Sequence, residues 1–415
     1  MNITTSQLHR REFFRASAVS TFLVPIGSTL LELRANAADV LSRPQPNEDK
    51  LPVISIIFDG GMSQRDSFDA REHPASDQDT GLDAYMPSRH SDLVFSSLFS
   101  HIRRVVDKIA VCRTVESVKE SGFHKVNTEL LLHDNKGVNW HSRLASSTKN
   151  SGHPYYYLAA HHWDIGVKTN SLGAMLRKEN DPFHAVTDAF SFDDVHSNRS
   201  ACLETDRLQD RLMLRDNIDT LACDSPQIQH HLEMQRSALA LLLGDAKKFV
   251  SNPPKEAIDR YGKHGLPYYY AGQLVKQGAT SVAVRTGSWD FHFYIKESME
   301  AYAPTFDKAY TQLVEDVDRG DIPPCVISCI GEFGRTPKMS GSGRDHFETG
   351  TGLLYGGDVL PGVFGATDYH GHPKENDYII PASDWKNVVF QASRRSDFVD
   401  NPEFSAPMGL ITKRN

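Results

Sequence analysis

The sequence predicts an α/β protein, a three-layer sandwich with a mainly parallel central sheet. Three observations predict it. Short, continuous apolar runs rich in Val and Ile recur: PVISIIF at 52–58, TSVAVRT at 280–286 and PPCVISCI at 323–330. Such runs fit strands buried on both faces, as in a sheet covered by helices. Segments of helical period alternate with them, and each run leads into turn residues that carry acids or histidines. Open α/β sheets place their ligands at the carboxyl ends of such strands.

Taken in order, residues 9–15 read HRREFFR, with adjacent arginines, and an apolar segment follows at 16–33. Ala35-Asn36-Ala37 then offers a small-residue cleavage site. This pattern predicts a twin-arginine export signal over residues 1–37, so the expected partner is the twin-arginine machinery and the expected location periplasmic or secreted. Pro25 and Gly27 interrupt the apolar segment and no other stretch is long enough to span, so no stable transmembrane anchor is expected. Residues 38–51 are polar and proline-containing, a linker.

A single α/β domain is expected over 52–400, with a variable helical or loop insertion at 140–250 and a tail at 401–415. The first strand delivers Asp59 ahead of two glycines. Residues 93–108 read as a helix, 109–115 as a strand and 124–134 as a helix start. Residues 206–221 and 226–250 are strongly helical in pattern. A helix at 267–279 ends at Gly278, and the strand after it ends in Asp290 and His292. A helix at 301–322 precedes the strand that ends in Glu332. A glycine-rich turn then carries Arg344, Asp345 and His346, a glycine-punctuated strand region follows, and the last helix is capped by Ser383 or Asp384.

Composition narrows the function. The chain has 415 residues, 39% hydrophobic, and a net charge of -8 with no basic stripe, which argues against nucleic acid as a partner. Its five cysteines are Cys112, Cys202, Cys223, Cys325 and Cys329, an odd number without a CxxC pair, so no disulfide framework or zinc ribbon is legible. Cys202 and Cys223 are candidates to pair in an oxidising compartment. Cys325 and Cys329 fall in an apolar run and read as buried.

Asp59, Asp290, His292, Glu332, Asp345 and His346 are the candidate metal ligands. Carboxylates and imidazoles gathered at one sheet edge need a cation to offset their repulsion. Mixed sets suit zinc or manganese and pure oxygen sets suit magnesium or calcium, so one or two divalent ions are expected, of Zn, Mn, Mg or Ca type. Each residue also has an ordinary explanation. Asp59 fits a turn acid, and Glu332 fits a structural acid paired with Arg335. The histidines at 161–162 and 230–231 read as surface or helix-face residues.

Three runs, SIIFDGGMSQRDSFD at 55–69, the segment 260–292, and GEFGRTPKMSGSGRDHF with its continuation to 368, resemble the domain-of-unknown-function 1501 family. The resemblance covers about residues 9–395, with 140–250 poorly matched. These are exported bacterial proteins counted in the alkaline phosphatase and sulfatase superfamily. The resemblance implies an alkaline phosphatase-like fold and metal-dependent hydrolysis of a phosphate or sulfate ester on a small molecule or glycan. It makes Asp59 the first-strand metal aspartate and Asp345-His346 the adjacent Asp-His pair. Asp290 and His292 then match the other metal position, and His370 and His372 are the candidates for a further histidine.

The superfamily also implies a hydroxyl nucleophile at a helix N-terminus. Ser121 fits, with His124 close behind, and Thr114, Thr128 and Ser63 are rivals. No cysteine begins the C-x-P/A-x-R pattern of formylglycine sulfatases, which argues against that mechanism. Arg335 and Arg344 either fork onto ester oxygens or pair with neighbouring acids. Tyr155, Tyr156, Tyr157, His161 and Trp163 are either sugar-stacking groups or core. The alternative to an enzyme is a catalytically degenerate, exported protein that binds a glycan or a protein partner.

Overall fold

A computed structural model describes residues 50–70, 85–88, 93–117, 124–134, 139–146, 155–160, 170–175, 190–191, 253–287 and 289–412. The chain divides into two units, Met1–Arg43 and Pro44–Asn415, and every described residue lies in the second. The predicted export signal, nearly all of the linker, Ser121, Cys202, Cys223, His161, Trp163 and the helical pattern at 206–250 lie outside the described residues.

The strands are β1 (Val53–Phe58), β2 (Tyr85–Pro87), β3 (Val94–Ser96), β4 (Ile109–Glu116), β5 (Tyr155–Ala160), β6 (Asn170–Met175) and β7 (Phe190–Ser191). They continue with β8 (Ser281–Thr286), β9 (Val326–Gly331), β10 (Gly334–Arg335), β11 (His346–Phe347), β12 (Thr349–Tyr355), β13 (Gly362–Phe364) and β14 (Ile380–Pro381). The helices are α1 (His124–Leu132), α2 (Trp140–Ser146), α3 (Lys255–Tyr261), α4 (Leu266–Lys276), α5 (Ile295–Asp318) and α6 (Trp385–Ala392). No described helix is long and apolar enough to cross a membrane.

The main sheet runs β13-β4-β12-β9-β1-β8-β5-β6-β7, with β14 also beside β4. Its centre is parallel: β1 pairs in register with β8 on one side and β9 on the other, and β8 with β5. β12 runs antiparallel between β9 and β4, so the sheet is mixed and mostly parallel. The apolar run of β1 is buried at all six positions, and its period of two divides it between two cores. Ile54, Ile56 and Phe58 join the core that holds α3, α4 and α5. Val53 joins the core of α1, α2 and α6, so helices cover both faces. On β4, Ile109 and Val111 face the first core while Ala110, Cys112 and Val115 face the second. The parity slips because the β12–β4 register shifts between Gly350 and Gly352, a β-bulge that turns Val115 over.

The helix expected at 93–108 is a correction. The chain there forms β3 and two 3-10 turns, Ile102–Arg104 and Val106–Lys108. The carboxylate of Asp307 on α5 accepts the backbone N–H groups of His101 and Ile102, each at 2.7 Å, and so caps the turn in place of an α-helix. A second difference concerns the strand at 280–292: β8 stops at Thr286, and residues 289–292 form a tight loop closed by N–H bonds from Phe291 to Trp289 and from His292 to Asp290. Helix α5 starts at Ile295, earlier than the pattern suggested, and holds Pro304 inside. Residues 401–412 return to the second core, where Leu410 is buried and Ile411 bridges Val359.

Candidate metal centre

Because β8, β1 and β9 are adjacent and parallel, their carboxyl ends lie on one edge. Asp59 follows β1, Asp290 sits in the loop after β8, and Glu332 follows β9. Gly60 and Gly61 hold this junction in left-handed conformations, φ +95° and +76°. A Cβ on Gly60 would lie 2.6 Å from the Asp290 nitrogen, and one on Gly61 2.6 Å from the Phe333 carbonyl, so only glycine lets the loops close on the end of β1. The hairpin β10-β11 brings His346 to the same place, and α1 brings His124.

Asp290 is the hub. Its Oδ1 lies 3.1 Å from His292 Nε2 and 3.3 Å from His346 Nε2, and the two Nε2 atoms are 3.1 Å apart. Its Oδ2 lies 3.3 Å from His124 Nε2. His124, Asp290 and His346 offer ligand atoms all within 4.8 Å of one another. These separations test the fit of an ion. Bonds of about 2.0–2.2 Å put ligand atoms about 3.3–3.6 Å apart on a tetrahedron and about 2.8–3.1 Å apart on an octahedron. The His292, His346 and Asp290 atoms form a triangle inside that range, so nitrogen and oxygen donors fit a divalent ion. The chains are also wet enough for exchange, with side-chain exposures of 33% for Asp290, 35% for His292, 41% for His124 and 20% for His346.

Other charges set the electrostatics. The buried Arg335 guanidinium reaches Asp290 Oδ1 at 2.5 Å. Burial works to raise the Asp290 pKa, and the Arg335 hydrogen bond and charge overcome it, leaving the carboxyl below its usual value. Burial in turn lowers the Arg335 pKa against the pull of Asp290. The hydrogen bond to Glu332 outweighs partial burial and raises the His124 pKa above the ordinary imidazole value.

Several expected residues sit apart from the hub. Asp59 is at the predicted edge, yet its Oδ1 meets Arg285 of β8 at 2.5 Å. Glu332 Oε1 accepts from His124 and from the Gly60 N–H at 2.9 Å, and Asp345 Oδ1 meets His292 Nδ1 at 3.0 Å. Arg335 also donates to the carbonyls of Gly60, Gly61 and Arg344. Arg344 is fully buried and paired with Asp66. For both arginines, pairing with acids is what the structure displays. His372 lies beside Glu348 and Phe347, outside the cluster. Among the rival hydroxyls, Ser63 donates to Asp66 and Thr114 to the Tyr378 carbonyl, so both are committed to the fold.

Sequence reasoning placed His124 beside a nucleophile; the structure places it in the imidazole–carboxylate cluster itself. It missed the Arg285–Asp59 pair and the Asp66–Arg344 pair. The only local signal for the latter was two charged residues inside otherwise recognisable motifs.

A family model described as "Protein of unknown function (DUF1501)" matches residues 51–382. No curated protein matches the chain.

Proposed function

The chain belongs to the DUF1501 family, and from that premise we propose that it is an exported, metal-dependent hydrolase of phosphate or sulfate esters, of the alkaline phosphatase and sulfatase-like type. The observation that carries this reading is the gathering of His124, Asp290 and His346, whose ligand atoms lie within 4.8 Å of one another, with His292 Nε2 3.1 Å from both Asp290 Oδ1 and His346 Nε2. A bound ion would supply the positive charge that stabilises ester oxygens during in-line displacement.

The remaining steps belong to the chain. Ser121, three residues before α1 in the chain, is the hydroxyl that the family resemblance assigns to attack; of its rivals, Ser63 and Thr114 are hydrogen-bonded elsewhere. A cysteine-derived nucleophile finds no support: the described Cys112, Cys325 and Cys329 are buried, and burial pushes the thiols of Cys112 and Cys325 up to about 12. A twin-arginine signal at 1–37 and a small-molecule or glycan ester substrate complete the proposal.

The Arg335–Asp290 ion pair favours a second reading, a degenerate exported binding protein in which the guanidinium does the work of the ion. Metal content and turnover of aryl phosphate and aryl sulfate, measured on wild type and His346→Ala, separate the two. The hydrolase reading expects bound metal and turnover in the wild type and loss of both in the variant. Metal-free wild-type protein, or turnover that ignores the substitution, would end it.

A further inference from the structure

Two imidazoles of the cluster share an arrangement. His124 turns Nδ1 to Oε1 of Glu332 at 2.8 Å, and His292 turns Nδ1 to Oδ1 of Asp345 at 3.0 Å. In both, Nε2 is the atom that faces Asp290. An ionised carboxylate can only accept, and Glu332 Oε1 already accepts the Gly60 N–H. Asp290 is an acceptor too, but its contacts with Nε2 of His124 and His292 are longer, 3.3 and 3.1 Å, and are ion-pair contacts without hydrogen-bond geometry. The shorter Nδ1 bonds take the proton of each neutral ring, and the Nε2 lone pair points at the hub. The Arg335 Nη1 donor, 3.5 Å from His292 Nε2, agrees, because it needs an acceptor there.

We propose that Glu332 and Asp345 are positioning residues that fix the Nδ1–H tautomers of His124 and His292, and that the ion is held by Nε2 of His124, His292 and His346 with the Asp290 carboxylate. This rests on the metal-dependent reading above and narrows it. Three imidazoles to one carboxylate suit zinc or a similar imidazole-seeking ion, and disfavour magnesium and calcium, which take oxygen. It also removes Asp59, Glu332 and Asp345 from the coordinating set and adds His124. The two positioning acids differ in strength by their surroundings. The Glu332 side chain is 2% exposed, whereas Asp345 is 57% exposed, where solvent screening weakens its hold on the ring.

The test has two readouts. Nitrogen-15 NMR of the histidine rings, recorded on metal-free protein above the histidine titration range, reports the tautomer. Chelator competition with zinc and with magnesium reports affinity and stoichiometry. Wild type is expected to show Nδ1–H at His124 and His292 and to prefer zinc. Glu332→Ala releases the His124 tautomer and weakens zinc about 10–100-fold at unchanged stoichiometry, and Asp345→Ala does the same to His292 with a smaller loss. Glu332→Gln, which keeps an acceptor for Nδ1–H, recovers part of the affinity and serves if the alanine variant misfolds. Asp290→Ala abolishes stoichiometric uptake.

A zinc-loaded wild type whose site is emptied by Glu332→Ala as completely as by Asp290→Ala overturns the inference alone, since Glu332 would then be a ligand. Nε2–H tautomers in the wild type, unchanged affinity in both alanine variants, or preference for magnesium also overturn it. A wild type that takes up no metal overturns the metal reading and the inference with it.

Discussion

Asp290 and Asp66 are both acids facing an arginine, and their surroundings differ at every other point. Asp66 and Arg344 are each 0% exposed and joined by two parallel bonds, Nε to Oδ2 at 2.7 Å and Nη2 to Oδ1 at 3.1 Å. Ser63 adds a third donor to the carboxylate, and Arg344 Nη1 reaches the Thr336 and Pro337 carbonyls. Donors and acceptors are matched, so the knot holds the 336–344 turn on the 63–66 turn. Around Asp290, three ring nitrogens crowd one partly exposed carboxylate, and two of them face each other at 3.1 Å. A closed pair leaves nothing for a ligand to add. A crowd of lone pairs gains from a cation, which is the physical difference between a clamp and a site.

That contrast can be broken by stability measurements. Asp66→Ala leaves the Arg344 guanidinium buried without its counter-ion and is expected to cost about 3–5 kcal/mol. His346→Ala, at the wetter cluster, is expected to cost no more than about 1–2 kcal/mol. Urea unfolding of both variants in the absence of metal decides it, and equal losses would erase the distinction.

Asp307 gives the next largest effect and sharpens what burial alone does. Burial pushes its carboxyl up to about 7, against the two backbone N–H groups it accepts. The folded pKa lies above the unfolded value, so its contribution is fully present below about pH 4 and is lost as pH rises through about 7. Relative to Asp307→Asn, the wild type should lose on the order of a few kcal/mol between about pH 4 and 8, read from urea midpoints across that range. A parallel pH dependence in the two proteins would contradict the assignment. The smallest effect is expected at the exposed Lys108–Asp318 pair, 2.5 Å apart with side chains 39% and 44% exposed. Lys108→Ala should change stability by less than about 1 kcal/mol in the same assay.

The sheet centre was legible because β1, β8 and β9 are buried on both faces and so carry continuous Val- and Ile-rich runs. The edge position of Asp59, Asp290 and Glu332 followed from the same runs. The stretch 93–108 was not legible. Its Leu93, Phe95, Phe99, Ile102, Val105 and Val106 are all buried, as a helix face would be, but the cap that shapes them comes from Asp307, over 200 residues away. The roles within the site were hidden in the same way. Glu332 and Asp345 look like ligands in sequence, and their contacts to His124 and His292 span 208 and 53 residues.

Sequence by itself determined which strands are central, which edge they end on, and which acids and histidines are carried there, because burial on two faces writes itself into composition and period. Only the tertiary structure decided which nitrogen of each ring turns inward, that Asp59 pairs with Arg285, and that Asp66 closes on Arg344. Those outcomes depend on hydrogen-bond geometry between segments brought together by sheet register, and no local pattern encodes a partner that far along the chain.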